Sequence, residues 1–420
     1  MVNENSSSAS FKRNTVINFI GYGIYMGFQW LINIAVVRMM GYESAGVLSL
    51  AITVTSSFYV VAHFNVRTYQ VSDYKNKFSA GEYVGQRLVN CGAAMLFCVI
   101  YSLICGYSGE KLLCIIVYML FKLTESFLDV LHGILQKNYR LDTIGYSFAI
   151  RGVITFLSFA LGVWLAQSIV VASGLMFLTS FAMLFCYEVP YASKNASLKP
   201  VFRLKSMMQI YKASLLVFAY YFIFNILTIM PRSLLEYYHG SETLGVFNSV
   251  ASPVFIVQLS ATLILSPVVN VFTEAYAAGD KKKFNRAYVI SASEILAICL
   301  IWLFAAYLFG DALLRLLIGE SITPYTYIFI PLMISTAFLV LSSLESGILT
   351  VIRDMKGLIL SACMGLAACT VSSLLFIPKY GLDGITAVMI ISFAFMAVAT
   401  FIYTIIKLHL VFKGAGHDKS

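Results

Sequence analysis

Apolar residues run along the chain in blocks of about twenty, each long enough to cross the hydrocarbon core of a bilayer as an α-helix. The blocks lie at 14–37, 45–66, 88–106, 112–134, 143–165, 168–187, 209–230, 245–271, 288–309, 323–350, 357–377 and 383–408. Continuous runs of this length, in place of shorter alternating segments, predict an all-α polytopic membrane protein and not a β-barrel. The expectation is twelve transmembrane helices in two six-helix lobes.

The longest polar break, 188–208, carries Pro190, Lys194, Asn195, Lys199, Pro200, Arg203 and Lys205. It reads as a cytoplasmic linker between an N-terminal lobe (14–187) and a C-terminal lobe (209–408), flanked by cytoplasmic tails at 1–13 and 409–420. The halves echo one another. Arg38, Gly46, Gly81-Glu82 and Arg87 in the first correspond to Arg232, Gly245, Gly279-Asp280 and Arg286 in the second. Such a parallel repeat points to a transporter whose substrate site lies between the lobes near mid-membrane, unless the glycines are simply turn residues. The polar stretch Met1–Ser10 followed by Lys12, Arg13 and the run from Val16 to Val37 predicts a retained first span behind a short disordered tail. The run is too long for a signal-peptide core.

Charge fixes the orientation. Of the 29 Lys and Arg residues, 22 fall in segments on the N-terminal side of the membrane, 5 on the other side, and 2, Lys122 and Arg151, inside spans. The positive-inside rule puts the crowded side, and both termini, in the cytoplasm of a cell membrane. The formal charge of +9 is therefore a matter of topology, and no nucleic-acid partner is implied. With 60% hydrophobic and 12% charged residues and a mean hydropathy of +0.83, the 420-residue chain leaves no room for a sizeable aqueous domain. The eight cysteines all lie within apolar runs, without CxxC pairs or a Cys/His cluster, and read as packing residues. No metal site or cofactor is expected. No Walker A pattern, nucleophile elbow or HExxH occurs, so the chain reads as a non-enzyme driven by H+ or Na+ coupling or by downhill movement.

The chemistry concentrates in the fourth span. Lys122, Glu125, Asp129 and His132 fall within an arc of roughly 80° at about 100° per residue, so one face of an apolar helix is ionisable. A charge at the bilayer centre costs roughly 2.5–3.5 kcal/mol, so this face is expected to meet a wet cavity or partners. Arg151 in the fifth span is expected level with Glu125 and Asp129 and is a candidate to neutralise one of them. Lys122 is the candidate contact for an anionic substrate group. A buried network that only fixes helix register is the competing reading. His132 is expected near the cytoplasmic interface, solvated. In the second half, Glu345 and Glu294 are candidate proton sites, alongside Glu125 and Asp129, or else pair with nearby cations. Asn18, Gln29, Asn33, Asn225, Asn248 and Gln258, with aromatics such as Tyr118, Phe121, Tyr220, Tyr221 and Phe222, either line a sugar-compatible cavity or join helices.

Three stretches carry a resemblance: FNVRTYQVSD (Phe64–Asp73), ESFLDVLHGILQKNYRLDTIGYSFAIRG (Glu125–Gly152) and IPKYGLDG (Ile377–Gly384). On these, over all the apolar blocks, the chain resembles the Wzx-type polysaccharide flippases of the multidrug/oligosaccharidyl-lipid/polysaccharide exporter (MOP) superfamily. The resemblance implies a MATE-like, V-shaped pair of six-helix bundles with a central cationic cavity. It also implies flipping of a polyprenyl-diphosphate-linked oligosaccharide to the outer leaflet by alternating access. Matching positions are Arg67, Asp73, Glu125, Asp129, Gln136 and Arg151, whereas Lys122 rests on the physical argument alone. Implied partners are the lipid-linked oligosaccharide, membrane lipids, and a polysaccharide polymerase and glycosyltransferases. A cation-coupled multidrug exporter of the same superfamily is the alternative, and it would centre on unpaired acids. A non-transporting scaffold for glycosyltransferases would make the buried charges purely structural.

Overall fold

The computed structural model describes residues 4–73 and 76–414. The expectations for residues 1–3 and 415–420 of the tails, and for Lys75 and Lys419 among the inside cations, lie outside the described residues. The chain forms two compact units, Met1–Phe218 and Ala219–Ser420.

Unit 1 opens with α1 (Glu4–His63), which is helical from Glu4, where the sequence suggests a disordered tail. Its one interruption is Gly41, at φ 82 and ψ −177. A residue without Cβ takes this backbone at no steric cost, so the chain turns through a single residue where the sequence suggests a longer polar break. Phe64 and Asn65, both at positive φ, end the helix and lead into α2 (Val66–Ser72). α3 (Ala80–Ile104) starts on a capping box: Ser79 Oγ accepts from the Glu82 amide at 3.3 Å and Glu82 accepts from the Ser79 amide at 2.8 Å.

The expected linker does not hang free. Val201 N donates to Gly81 O at 2.9 Å, and Cβ atoms on Gly81 and Gly85 would meet Lys199 O at 2.3 Å and Val201 O at 2.4 Å. These glycines let the linker backbone lie directly on the first turns of α3.

Next come α4 (Gly109–Lys137), α5 (Leu141–Ala166) and α6 (Ile169–Met183). Gly21 and Gly145 bring α1 and α5 together backbone to backbone, since a Cβ on Gly21 would fall 1.9 Å from Gly145 O. α5 packs chiefly on α1 and α6, touching α4 far less. α6 runs into a π-helical turn, Leu184–Glu188, and then α7 (Val189–Ser193).

Unit 2 takes up α8 (Leu204–Ala251) from Ala219 onward, with a break at Gly240 (φ 83, ψ 169) close in geometry to that at Gly41. A 3-10 turn (Ser252–Val254) precedes α9 (Phe255–Ala277). α10 (Lys281–Ile318) is capped by Asp280, whose side chain accepts from the Lys283 amide at 2.8 Å. A second 3-10 stretch (Glu320–Ile328), α11 (Phe329–Val351) and α12 (Met355–Gly414), broken at Gly381, complete the unit.

Among the described residues, eight helical segments are long and apolar enough to cross a membrane, where twelve were expected. Three of the eight run through the breaks at Gly41, Gly240 and Gly381. α4 is not among them because Lys122, Glu125 and Asp129 interrupt its apolar run. The cysteines are all free thiols, but Cys105, Cys186 and Cys363 are exposed and so do not pack inside as the sequence suggests.

Candidate functional site

A cavity of about 520 Å³ lies within unit 1. α4 contributes Tyr118, Lys122, Glu125, Leu128, Asp129 and His132, and the ionisable face read from helical spacing lines this space. α1 adds Tyr22, Tyr25, Gln29, Asn33, Tyr59 and His63, α2 adds Arg67, and α5 adds Phe148 and Arg151. Its formally charged lining is three cations, Arg67, Lys122 and Arg151, against two carboxylates, Glu125 and Asp129.

Asp129 is the hub. Its Oδ1 takes Arg67 Nη1 at 3.2 Å and its Oδ2 takes Arg87 Nη2 at 3.0 Å, with His63 Nδ1 at 3.4 Å. Arg67 also grips Gln136 Oε1 through Nη2 at 2.8 Å and Nε at 3.1 Å. Arg87, which the sequence assigns to an inside loop, is 1% exposed and donates to Ser126 Oγ at 2.9 Å and Ala62 O at 3.2 Å. A charge-assisted network of this kind locks the ends of α1, α2 and α3 onto α4. Two guanidinium groups serve one carboxylate, which leaves the cluster cationic.

Lys122 pairs with Glu125 on the next turn at 2.5 Å and lies over the Tyr59 ring, 5.2 Å from its centroid. The side chains of Lys122 and Arg67 remain 20% and 24% exposed, whereas those of Arg87 and Arg151 are 1% exposed. Only the first two cations therefore offer N–H groups to an occupant of the cavity without repacking.

Arg151 departs from its expected pairing. It donates to Glu188 Oε1 at 2.9 Å and to Ser180, not to Glu125 or Asp129, and Ser147 Oγ shares Glu188 Oε1 at 2.6 Å. The cause is packing: α5 lies against α6, and the π-helical turn brings Glu188 round to face it. His132 departs too. It is 1% exposed, edge-on to Phe148 at 5.0 Å, and its Nε2 has no partner, so it is a buried cavity residue and not a solvated interfacial one.

Of the other candidates, Gln29 donates to Thr155 Oγ1 at 3.4 Å, and Asn33 lines the cavity beside it. Glu345 and Glu294 belong to unit 2, Glu345 buried and Glu294 exposed. The sequence reading missed Arg87, His63 and Glu188 as members of the charged network. Among the described residues no cluster of His, Cys, Asp and Glu is built to hold a metal.

Comparison with solved structures gives the fold. The chain has the fold of the MATE multidrug transporter DinF-BH, with a TM-score of 0.69 at 13% identity over 98% of both chains. It likewise matches a MOP superfamily transporter from Pyrococcus furiosus, described as having a binding pocket of reverse polarity that suggests a different function. That match has a TM-score of 0.62 at 15% identity over 96% of both chains. The chain thus has the all-α, MATE-like fold of these solved proteins, and among its described residues eight helical segments are long and apolar enough to cross a membrane.

In sequence it is distantly related to the capsular polysaccharide biosynthesis protein CapF of Staphylococcus aureus. The two are 25% identical over 391 residues, which cover 89% of this chain and 94% of the relative. No family model matches the chain.

Proposed function

We propose that this protein flips polyprenyl-diphosphate-linked oligosaccharide units from the inner to the outer leaflet of the cytoplasmic membrane by alternating access, for surface polysaccharide assembly. The observation that carries the reading is the state of the charges in the unit 1 cavity. Both acids are bound to cations, while Arg67 and Lys122 keep accessible N–H groups. A diphosphate entering here gains two charge-assisted contacts, and Glu125 holds Lys122 in place until phosphate takes its position. Amide and aromatic groups from Gln29, Asn33, Tyr22 and Tyr59 suit the sugar that follows. A drug cation entering the unit 1 cavity would find both of its described acids already paired, which disfavours the multidrug alternative at this site.

Two comparisons support the reading. The sequence relative is a capsular polysaccharide biosynthesis protein, and a protein of the same fold from Pyrococcus furiosus is described as having a binding pocket of reverse polarity. In this proposal each side of the three glycine breaks is a span of its own, and α4 is a further span shielded from lipid, which makes twelve spans in two lobes with both termini cytoplasmic. Polymerase and glycosyltransferase partners belong to the same proposal.

The test is deletion of the gene, which is expected to trap undecaprenyl-linked repeat units on the cytoplasmic leaflet. Heightened drug sensitivity with normal glycan would overturn the reading. Complementation with Lys122→Ala at normal membrane abundance is expected to fail, and unchanged export would rule out the phosphate contact.

A further inference from the structure

The acids of this chain are not equivalent. In unit 1, Asp129 is held by Arg67 and Arg87, and Glu125 by Lys122. Glu294 on α10 is exposed. Glu345 on α11 differs from all of these. It is 4% exposed, its Oε1 accepts the Tyr288 hydroxyl of α10 at 2.6 Å, and its Oε2 has no hydrogen-bond partner. No Lys, Arg or His pairs with it among the described residues.

The surroundings offer no counter-charge. From α10 the facing titratable group is Tyr288, and from α12 the facing polar group is Thr404, fully buried and itself without a partner. Farther along α12, Lys407 is bound to Asp354 at 2.8 Å, and Tyr403 donates to the same carboxylate at 3.2 Å. At the α9–α10 turn, Lys283 is bound to Glu274 at 3.2 Å. Arg286, Arg353 and Lys356 are exposed.

An ionised carboxylate with only neutral hydroxyls facing it and no cation cannot recover its lost hydration inside a membrane protein, so the group neutralises by taking a proton. A proton on Oε2 removes the buried charge while Oε1 keeps the Tyr288 hydrogen bond, and Oε2 and the facing Thr404 hydroxyl can pair in that neutral form.

We propose that Glu345 is a proton-binding site of unit 2, occupied in the conformation described here, and that its release and rebinding couple export to proton movement. The coupling half of this statement rests on the function proposed above, whereas the protonation half stands without it. The proton comes from the aqueous phase and returns to it, and the only bond made or broken is Oε2–H. The cations of the unit 1 cavity are then left to bind substrate.

The experiment is infrared pH-difference spectroscopy on the full chain in lipid nanodiscs, in potassium buffer. A carboxylic acid C=O band is expected in the native protein and lost in Glu345→Gln, which keeps the shape and neutrality of the protonated acid. In Tyr288→Phe the band is expected to move to higher frequency, because its hydrogen bond is gone. A spectrum identical in native protein and Glu345→Gln overturns the proposal. So does loss of the band when sodium replaces potassium, which would make the site a sodium site.

A second arm uses proteoliposomes and a fluorescent polyprenyl-diphosphate sugar. Glu345→Gln is expected to keep downhill exchange and lose accumulation driven by a pH gradient, and undiminished accumulation overturns the coupling. If the native protein moves no such lipid, the functional reading fails while the infrared arm still decides the protonation.

Discussion

Replacing Arg151 by Met removes the cation from a pair whose side chains are 1% and 0% exposed. Glu188 Oε1 would then keep only the Ser147 hydroxyl, and its Oε2 already has no partner. Orphaning one member of a buried ion pair costs about 3–5 kcal/mol, roughly a hundred- to several-thousand-fold in the folding equilibrium. Removing both charges, in Arg151→Met with Glu188→Met, is expected to recover most of that loss, because the desolvation penalty of the survivor disappears.

The pair is suited to a double-mutant cycle, with a coupling energy of at least about 2 kcal/mol expected for groups in direct contact. The chain has three tryptophans, and Trp30 and Trp164 lie in unit 1 while Trp302 lies in unit 2. In a Trp302→Phe background, fluorescence during denaturant unfolding in detergent therefore reports unit 1 alone. A cycle that closes to within about 0.5 kcal/mol, the level of independent sites, would refute the claim that this pair holds α5 to the end of α6.

The two arginines on Asp129 should separate folding from transport. Arg87→Ala removes a 1% exposed guanidinium that donates to Asp129, Ser126 and the Ala62 carbonyl, and it is expected to lower membrane abundance on immunoblots. Arg67→Ala, at a more exposed side chain, should keep abundance and reduce surface glycan; equal loss of abundance in both would contradict the assignment. Asp73 offers a pH test. Burial pushes its carboxyl up, but the amides of Lys77 and Phe78, the Tyr83 hydroxyl and the charge of Lys137 outweigh this and hold it below the usual carboxylate range. With the folded value below the unfolded one, its stabilisation is complete above about pH 4 and is lost as pH falls through the folded value. Asp73→Asn should flatten that acid limb in thermal-unfolding profiles, and an unchanged limb would show that Asp73 does not contribute.

Long-range partners are the part a sequence cannot supply. The face of α4 is legible because helical spacing alone puts Lys122, Glu125, Asp129 and His132 on one side, and those four line one cavity. Arg87 looks like a loop charge because its chain position is at the start of a helix. Only the packing of α3 against α1 and α4 turns it inward. The expected acid for Arg151 is wrong for a related reason: consecutive helices need not be nearest neighbours, and close glycine contacts draw α5 to α1 and away from α4. The apolar blocks locate the helices well. They overestimate the turns, because a single glycine at positive φ redirects the chain without a polar loop to announce it.

The five-residue π turn before α7 also sets how this segment tolerates length changes. A π turn closes i→i+5 hydrogen bonds and so holds one residue more than an α turn, which means that one residue fewer between Leu184 and Glu188 would let the stretch relax into ordinary α-helix with the later side chains close to their present directions. Glu188 would keep facing Arg151, and Ala192 would stay in the core beside Val130 and Leu131. Loss of a single codon is therefore far better borne in this stretch than in the regular turns of α5 or α6, where every later side chain would swing by about 100° around the axis.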